Sequence, residues 1–415
     1  MESQLRARTQ VLIVGAGPSG LAAALVLARL GIAVRIIDKN AARSEKSKAL
    51  AVHAGTLECL KAAIGTQLVR ELIGAGQPTR AAWIHLDGAA PISVDISAIP
   101  SEYNFILNLP QAETERIFEQ RLGELSVKVE RNTELLEAVE QEVTMVSKIK
   151  LPTGAIDEIT SDFMIGCDGA HSTVRHLLGI PFYGSAYGGD FILGDVILSW
   201  SWTHDSVRLF VNARGVIAAF PLKGERHYRL ILIRQDRNSM SDQPDMDLRE
   251  FQSIVSELSV DGIIVQSATW LTRFRVHHRL VKQLQRGRSF LAGDAAHIHS
   301  PAGGQGMNTG IQDSLNIGFK LARVLTQEMP LSGLSEYEKE RLPVARQVLR
   351  GTDFVSRLAL LPENWLKRFV RGTLLAIAVR SPFLQRRVLT IISEVGVARR
   401  EIHRYVQNRR QGAST

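Results

Sequence analysis

The 415-residue chain is 45% hydrophobic and 22% charged, a globular balance with apolar residues enough for a large core and a length suited to two or three structural units. Its formal net charge of +8 comes without a long basic block with interleaved aromatics and without a zinc or other nucleic-acid motif, which argues against a nucleic-acid partner and leaves a positive surface suited to an anionic cofactor. Two cysteines, Cys59 and Cys167, give neither a disulfide framework nor metal-ligand spacing, so a reduced, cytoplasmic setting is expected.

Near the N-terminus, Arg6 and Arg8 precede the apolar run VLIVGAGPSGLAAALVLARL. A secretory signal would start this way, but Gly15, Gly17, Pro18 and Gly20 break the run as a helix. The pattern predicts a strand over 9–15, a turn, and a helix with Leu21, Ala24, Leu25 and Ala28 on one face, closed by Gly31. A second strand over 33–38 ends in Asp38. This is a βαβ unit with a GxGxxG turn. Gly15 makes the tight turn, Gly17 admits a pyrophosphate to the backbone, and Gly20 allows close helix–strand packing, with Pro18 and Ser19 between them. The helix N-terminus offers amides and partial positive charge to phosphates. Asp38 can accept hydrogen bonds from a ribose diol. The pattern specifies a dinucleotide but leaves NAD and FAD both open.

Further along, AWIHLDGAAPISVDI (82–96) carries an Asp87-Gly88 turn between strand-like runs, a hairpin signal. DFMIGCDGAHSTVR (162–175) reads as a strand running into Asp168-Gly169 and a polar helix start at Ser172. Residues 182–285 hold more strands; TWLTRFRV (269–276) places Trp270, Thr272, Phe274 and Val276 on one face. After a polar loop over 237–247, Asp247 fits a helix N-cap, and Leu248, Phe251, Val255 and Leu258 mark the packed side. RSFLAGDAAHIHSPAGGQGMN (288–308) is a strand running into Gly293-Asp294 and a glycine-rich stretch, followed by a helix over 308–325. Beyond Pro343 the chain reads as helical, apolar and basic, suited to packing on the body, to a dimer face, or to a membrane surface. No run is long and apolar enough for a membrane span.

The N-terminal GxGxxG, the "DG" at 168–169 and the "GD" at 293–294, in this order, resemble the hallmarks of the class A flavoprotein monooxygenases, the aromatic hydroxylases related to para-hydroxybenzoate hydroxylase. SKALAVHAGTLECL (47–60), LPQAETERIFEQRL (109–122) and FPLKGERHYRL (220–230) look like that family too, and the resemblance covers roughly residues 10–345. It implies an α/β architecture: a Rossmann-like FAD-binding domain of the GR2 type, discontinuous over 1–75, 110–180 and 287–345. An antiparallel-sheet substrate domain over 76–109 and 181–286 is inserted into it, and a helical C-terminal segment covers 346–415. It implies FAD, with Asp38 on the adenosine ribose, Gln111 beside the cofactor, and Asp168 with Gly169 shaping a site tied to both FAD and NAD(P)H. Asp294 takes the ribityl or pyrophosphate, Pro301 lines the flavin ring, and Gly304, Gly306, Met307 and Asn308 pass its pyrimidine end. Lys39 and Lys48 join these candidate contacts. Arg43, Lys46 and Lys48 follow the second strand, where they either meet phosphate oxygens and favour NADPH or form a solvated basic loop, so NADPH and NADH both stay open as the electron donor. The glycines would thus let a ring lie against backbone, and the helix dipole would meet the flavin edge that becomes negative on reduction.

The activity implied is hydroxylation of an aromatic or polyketide-like small molecule by NAD(P)H and O2 through a flavin hydroperoxide, the cofactor carrying the hard chemistry. A flavin reductase or dehydrogenase on the same fold, or a non-catalytic flavin-binding regulator, are the other readings. The proton acceptor for a phenol is unassigned; His53, His85 and Tyr187 are candidates. Asp294, His297 and His299 could form a metal triad, but His-x-His without a further Cys or Glu cluster does not specify one, and no metal is expected. One departure stands out: Gly55 lies where many relatives carry Arg. Many relatives also continue into a thioredoxin-like domain, so oligomer contacts attributed to that domain are not carried over.

Overall fold

The computed structural model describes residues 7–44, 49–86, 89–186, 190–212, 214–234, 246–258, 262–301, 303–359 and 381–412. Its first strand, Ala7–Val14, holds Val11, Leu12, Ile13 and Val14 all buried, as expected of a central strand covered on both faces. It pairs in parallel with Val34–Ile37 on one side and Ile156–Gly166 on the other. Ser289–Leu291 and Val129–Glu130 extend the parallel set at its two ends. Met145–Lys150 and Glu134–Glu140 add an antiparallel flap on the outer part of Ile156–Gly166.

Ten helices are described. Helix α1 (Pro18–Arg29) begins with proline in its first turn, where a missing N–H costs nothing, and ends before Gly31 at φ +77. α2 (Ala54–Ala63) and α3 (Thr66–Ala75) follow, then α4 (Gln111–Glu124) and the short α5 (Thr173–Leu177). α6 (Leu248–Leu258) packs Phe251, Ile254, Val255 and Leu258 onto the second sheet, and Asp247 caps it by accepting from the Glu250 amide at 2.7 Å. α7 (Gly306–Leu325) runs through the interior beside α1. α8 (Ser335–Ala359) is continuous, with Pro343 inside it. α9 (Pro382–Ile392) and α10 (Val395–Gly412) close the chain, α10 lying on α2 and α7. A boundary at 345/346 therefore falls within one helix. Pro343 is the ninth residue of this helix, which continues past it. Among the described residues no helix is long and apolar enough to cross a membrane.

The second sheet has seven strands in the order Ile264–Phe274, Asp190–Ser199, His227–Arg234, Gly215–Pro221, Ser206–Val211, Ala81–Leu86 and Ile92–Asp95. All pairs are antiparallel except one: Ala81–Leu86 runs parallel to Ser206–Val211. The exception has a topological cause. Ala81–Leu86 and Ile92–Asp95 form a separate hairpin, whose Asp87-Gly88 turn lies outside the described residues, and no tight turn fixes its direction against the later meander. Both insertions have narrow necks. The Ile96 amide donates to the Arg80 carbonyl at 2.9 Å, and Phe182–Ala186 pairs antiparallel with His277–Val281. Two hydrophobic clusters result, one around the parallel sheet and one between the second sheet and α6.

Candidate functional site

The GxGxxG turn, Asp38, the DG and the GD each follow the carboxyl end of a parallel strand. Val14 is in register with Ile37 and Gly166, and Gly166 with Leu291. The next residues, Gly15, Asp38, Cys167 and Ala292, therefore form one row. Backbone bonds continue it past the strands: the Gly15 amide donates to the Ile37 carbonyl (2.8 Å), Cys167 to Val14 (2.8 Å) and Ala292 to Gly166 (3.0 Å). In open parallel sheets this edge is where ligands bind.

The turns are interlocked. Gly15 has φ +100, and a Cβ there would stand 2.5 Å from the Cys167 carbonyl oxygen, so the GxGxxG turn and the DG loop touch through bare backbone. A Cβ on Gly293 or on Gly310 of α7 would run into the Ser19 hydroxyl, which brings the GD turn and α7 against the start of α1. Gly17 differs: nothing lies within 4 Å of the position its Cβ would take. No side chain caps α1 or α7. Space and undirected first-turn amides coincide at α1, which fits a pyrophosphate.

Asp38 accepts from the Ala16 amide at 2.7 Å and the Asn40 amide at 2.8 Å, and Arg131 stands 3.9 Å from it. Lys39 is exposed. Arg43 and Arg131 both reach Glu119, at 3.2 and 3.1 Å, so Arg43 is an ion-pair member as well as a candidate phosphate contact. Lys46 and Lys48 lie outside the described residues. Gln111 opens α4; its amide donates to the Ala49 carbonyl (3.1 Å) and its side chain to Glu115 (2.8 Å). Burial raises the Glu115 carboxyl, partly offset by that bond from Gln111.

Asp168 accepts from the Ser172 hydroxyl (2.5 Å) and the Val174 amide (3.1 Å), which orders the start of α5. Gly169 follows at φ +78. Arg175, which sequence reasoning passed over, is buried and donates to the carbonyls of Ala170 and Ala295, both at 3.0 Å. Its guanidinium also lies 4.1 Å from the Phe182 ring centroid. It stitches the DG loop to the GD turn. Burial lowers its pKa, against the pull of Asp168. Arg175 closes the stretch DFMIGCDGAHSTVR, but its partner at Ala295 is brought near only by the fold. Asp294 is the one exposed residue between Ser289 and His297.

His297 donates from Nε2 to Asp313 at 2.6 Å, and Arg341 donates to the other Asp313 oxygen at 2.6 Å. Burial works against the Asp313 charge, but Arg341 and His297 outweigh it and hold the carboxyl below its usual range. His297 and His299 have ring centroids 5.9 Å apart and nearly parallel planes. His299 is pressed against Gly306; burial and neighbouring His297 lower its pKa to about 4. Among the described residues no cluster of three His, Cys, Asp or Glu could hold a metal.

The glycine-rich stretch is fixed from below. Asn308 accepts from the His53 amide (2.8 Å) and donates to the carbonyls of Ala51 and Gly304, both at 2.8 Å. His53 is buried and pairs its Nε2 with the Gly303 carbonyl at 2.8 Å. Burial drives its pKa down to about 4, so it is neutral at pH 7. Pro301, Gly304 and Gly306 are half-buried along this stretch, while Met307 and Asn308 turn inward.

The second sheet presents two unlike faces. One carries Phe210, Tyr228 and Leu230 toward α6. The other carries Asp195 and Arg229, joined by two bonds of 2.6 and 2.7 Å. Arg229 also donates to the Ala49 carbonyl at 2.9 Å, and Trp270 donates to Asp195 at 3.1 Å. This face therefore looks toward the parallel sheet's ligand edge. His85 is in register with Phe210 and stacks on it at 4.5 Å, with Trp202 at 5.0 Å. It lies on the far face and is not brought together with the other candidates. Tyr187 lies outside the described residues.

Residues 8–352 match the family described as FAD binding domain, and the chain belongs to that family. It is 34% identical over 354 residues to the 6-methylpretetramide 4-monooxygenase of Streptomyces rimosus, covering 85% of this chain and 62% of that protein. It is 34% identical over 347 residues to the pentachlorophenol 4-monooxygenase of Sphingobium chlorophenolicum, covering 82% and 63%. The chain thus spans less than two thirds of the length of these relatives. Among solved structures, the OxyS anhydrotetracycline hydroxylase of Streptomyces rimosus superimposes with a TM-score of 0.75 at 30% identity, over 93% of this chain and 76% of that one. The p-nitrophenol 4-monooxygenase PnpA of Pseudomonas putida DLL-E4 shares the fold with a TM-score of 0.83 at 20% identity, over 94% and 99%. The mixed α/β fold is that of solved aromatic hydroxylases.

Proposed function

We propose that this chain is an FAD-dependent monooxygenase that hydroxylates an aromatic or polyketide-like small molecule with NAD(P)H and O2. The observation that carries the proposal is the single row formed by Gly15, Asp38, Cys167 and Ala292 at the carboxyl ends of registered parallel strands, with Asp168 and Asp294 one and two residues beyond it. In this reading a GR2-type Rossmann-like body over 1–75, 110–180 and 287–345 holds the cofactor. The second sheet, from 76–109 and 181–286, encloses the substrate.

When bound there, FAD would supply hydride acceptance from NAD(P)H and activation of O2, one oxygen atom going to an electron-rich ring and the other leaving as water. The chain's own residues bind, orient and exclude water. The α1 amides above Gly17 would receive the pyrophosphate, and Asp38, already accepting from Ala16 and Asn40, would take a ribose hydroxyl. Asp294 meets the ribityl chain from its exposed position. Pro301 and Gly304 offer a side-chain-poor wall to the ring, and the α7 amides at Gly306, Met307 and Asn308 face its pyrimidine end. His53 serves here as a positioning residue. Tied to Gly303 through Nε2 and to Asn308 through its amide, it holds the loop in place. The Asp195–Arg229 pair with Trp270 forms the substrate-side wall opposite the ring.

The test is a phenol and polycyclic phenol panel, with NAD(P)H consumption followed in air and under nitrogen and products weighed for one added oxygen atom. A yellow protein with substrate-stimulated, oxygen-requiring turnover and a mass gain of one oxygen is expected. A protein that takes up no FAD, or whose turnover continues undiminished without oxygen, overturns the proposal.

A further inference from the structure

The turn between the last two helices is wedged between the first turns of α2 and α7. After α9 the chain reverses through Ser393 and Glu394, the latter at φ +58, before α10 begins at Val395. The Gly55 amide donates to the Ser393 carbonyl at 2.9 Å. A Cβ on Gly55 would stand 2.6 Å from the Glu394 carbonyl carbon and 2.9 Å from the Ser393 oxygen. The turn therefore fills the room that any side chain at 55 would need. The two exclude each other.

Glu394 is only 3% exposed, and its carboxyl points into α7. Oε1 accepts from the Thr309 hydroxyl at 3.1 Å, and Oε2 from the Gln312 amide at 2.5 Å. The same Gln312 nitrogen donates to Thr56 of α2 at 3.1 Å. Gln305, at the N-cap of α7, donates to the Ile391 carbonyl at 3.3 Å. Positions 305, 309 and 312 form one stripe of α7, and a single turn of the C-terminal segment grips all three. The charged groups around this carboxyl are Asp313 on α7, Arg341 on α8 and, through Arg341, Glu401 on α10. The same first turn of α7 bears Gly306, Met307 and Asn308.

We propose that Glu394 is a positioning residue for the cofactor-facing end of α7. The Ser393–Glu394 turn, admitted by the bare backbone of Gly55, braces the first two turns of the helix so that their amides keep one orientation toward the bound flavin. This rests on the FAD reading given above. A carboxylate gripping two side chains on one helix face resists rotation of that helix in a way that apolar packing alone does not.

The experiment uses the full chain, with Glu394→Ala, Glu394→Gln and, should the alanine variant not fold, Thr309→Val. Amide hydrogen exchange is read over 304–313 in the cofactor-free protein, and the ratio of affinities for oxidised and reduced FAD is read in the loaded one. Losing the side chain that joins Thr309 and Gln312, in Glu394→Ala, should speed exchange in that peptide by about tenfold and move the affinity ratio by about threefold or more. Glu394→Gln should restore most of both, because the Gln312 side-chain oxygen is buried without a partner and can turn to accept from the new amide. Unchanged exchange overturns the brace. Faster exchange with an unchanged affinity ratio shows a purely structural role and also overturns the proposal. A wild-type chain that binds no FAD sinks the cofactor reading itself, whereas one that binds FAD with a ratio insensitive to Glu394 sinks this inference alone.

Discussion

Two glycines of one turn make opposite demands. Gly15 cannot accept a side chain: at φ +100 and 2.5 Å from the Cys167 oxygen, a Cβ is both strained and obstructed. Gly15→Ala should lower the stability of the cofactor-free protein by about 2 kcal/mol or more. Gly17 has φ −76 and open space beyond it, so Gly17→Ala should leave that stability within about 0.5 kcal/mol. The same methyl then stands where the pyrophosphate approaches, and FAD affinity should fall by a factor on the order of ten or more. Urea unfolding and FAD fluorescence titration of the two variants separate the effects; a Gly17 variant with unaltered affinity would remove the phosphate from that position. The glycine spacing was legible because the turn demands it locally. Arg175 was not read as a bridge, because its partner carbonyl at Ala295 is 120 residues away and no local pattern marks it.

At the scale of elements, α7 is the most instructive. The helix over 308–325 was expected from the sequence, yet Asn308, Thr309, Gln312, Asp313, Ser314 and Asn316 are buried in it beside its apolar residues. They are buried because partners arrive from elsewhere: Arg341 of α8 reaches Asp313 and the Thr309 carbonyl, and Glu401 of α10 accepts from Asn316 at 2.6 Å. Arg341 sits in the charged stretch SEYEKERLPVARQ, yet it is fully buried. Removing one partner of such a buried pair leaves the other uncompensated. Asp313→Ala should therefore cost about 3–5 kcal/mol in denaturant unfolding. A cost near that of an exposed pair, below about 1 kcal/mol, would mean that Arg341 finds relief at Glu401.

Across the whole molecule, the two hydrophobic clusters meet at few polar points, of which Arg229 to Ala49 is one. Four of the five tryptophans, Trp83, Trp200, Trp202 and Trp270, belong to the second sheet or its loops. Tryptophan fluorescence therefore reports mainly on that cluster. Arg229→Met should part its unfolding from the far-ultraviolet dichroism transition. FAD at 100 times its Kd should then raise only the dichroic transition, by about 2.7 kcal/mol. Coincident transitions in the variant would show that the two clusters do not depend on this arginine for coupling.

Acid sensitivity is also a property of the whole. His53 and His299 fall from 6.5 to about 4 on folding, while Glu394 rises from 4.5 to about 7. Between about pH 4.5 and 6.5 the unfolded chain binds two more protons at the histidines and one fewer at the glutamate. Stability from these groups should rise by about 3 kcal/mol over that interval, then decline slightly as Glu394 is forced to ionise up to about pH 7. Thermal midpoints measured from pH 4.5 to 8 should peak near 6.5; a monotonic rise would put one of these assignments in error.

The fold class and the order of its motifs were legible because strand, turn and helix signals are local. The parallel pairing inside the second sheet, and the grip of α8 and α10 on α7, were not, because they join residues that only the closed chain brings near. The necks at Arg80–Ile96 and at Phe182–Ala186 with His277–Val281 carry a consequence of another kind. Everything that chooses a substrate in this reading leaves the frame and returns through two tied stems, and no strand of the parallel sheet is crossed on the way. If the proposed function holds, cutting a gene at those stems and splicing in a relative's cassette should exchange selectivity as one transplant.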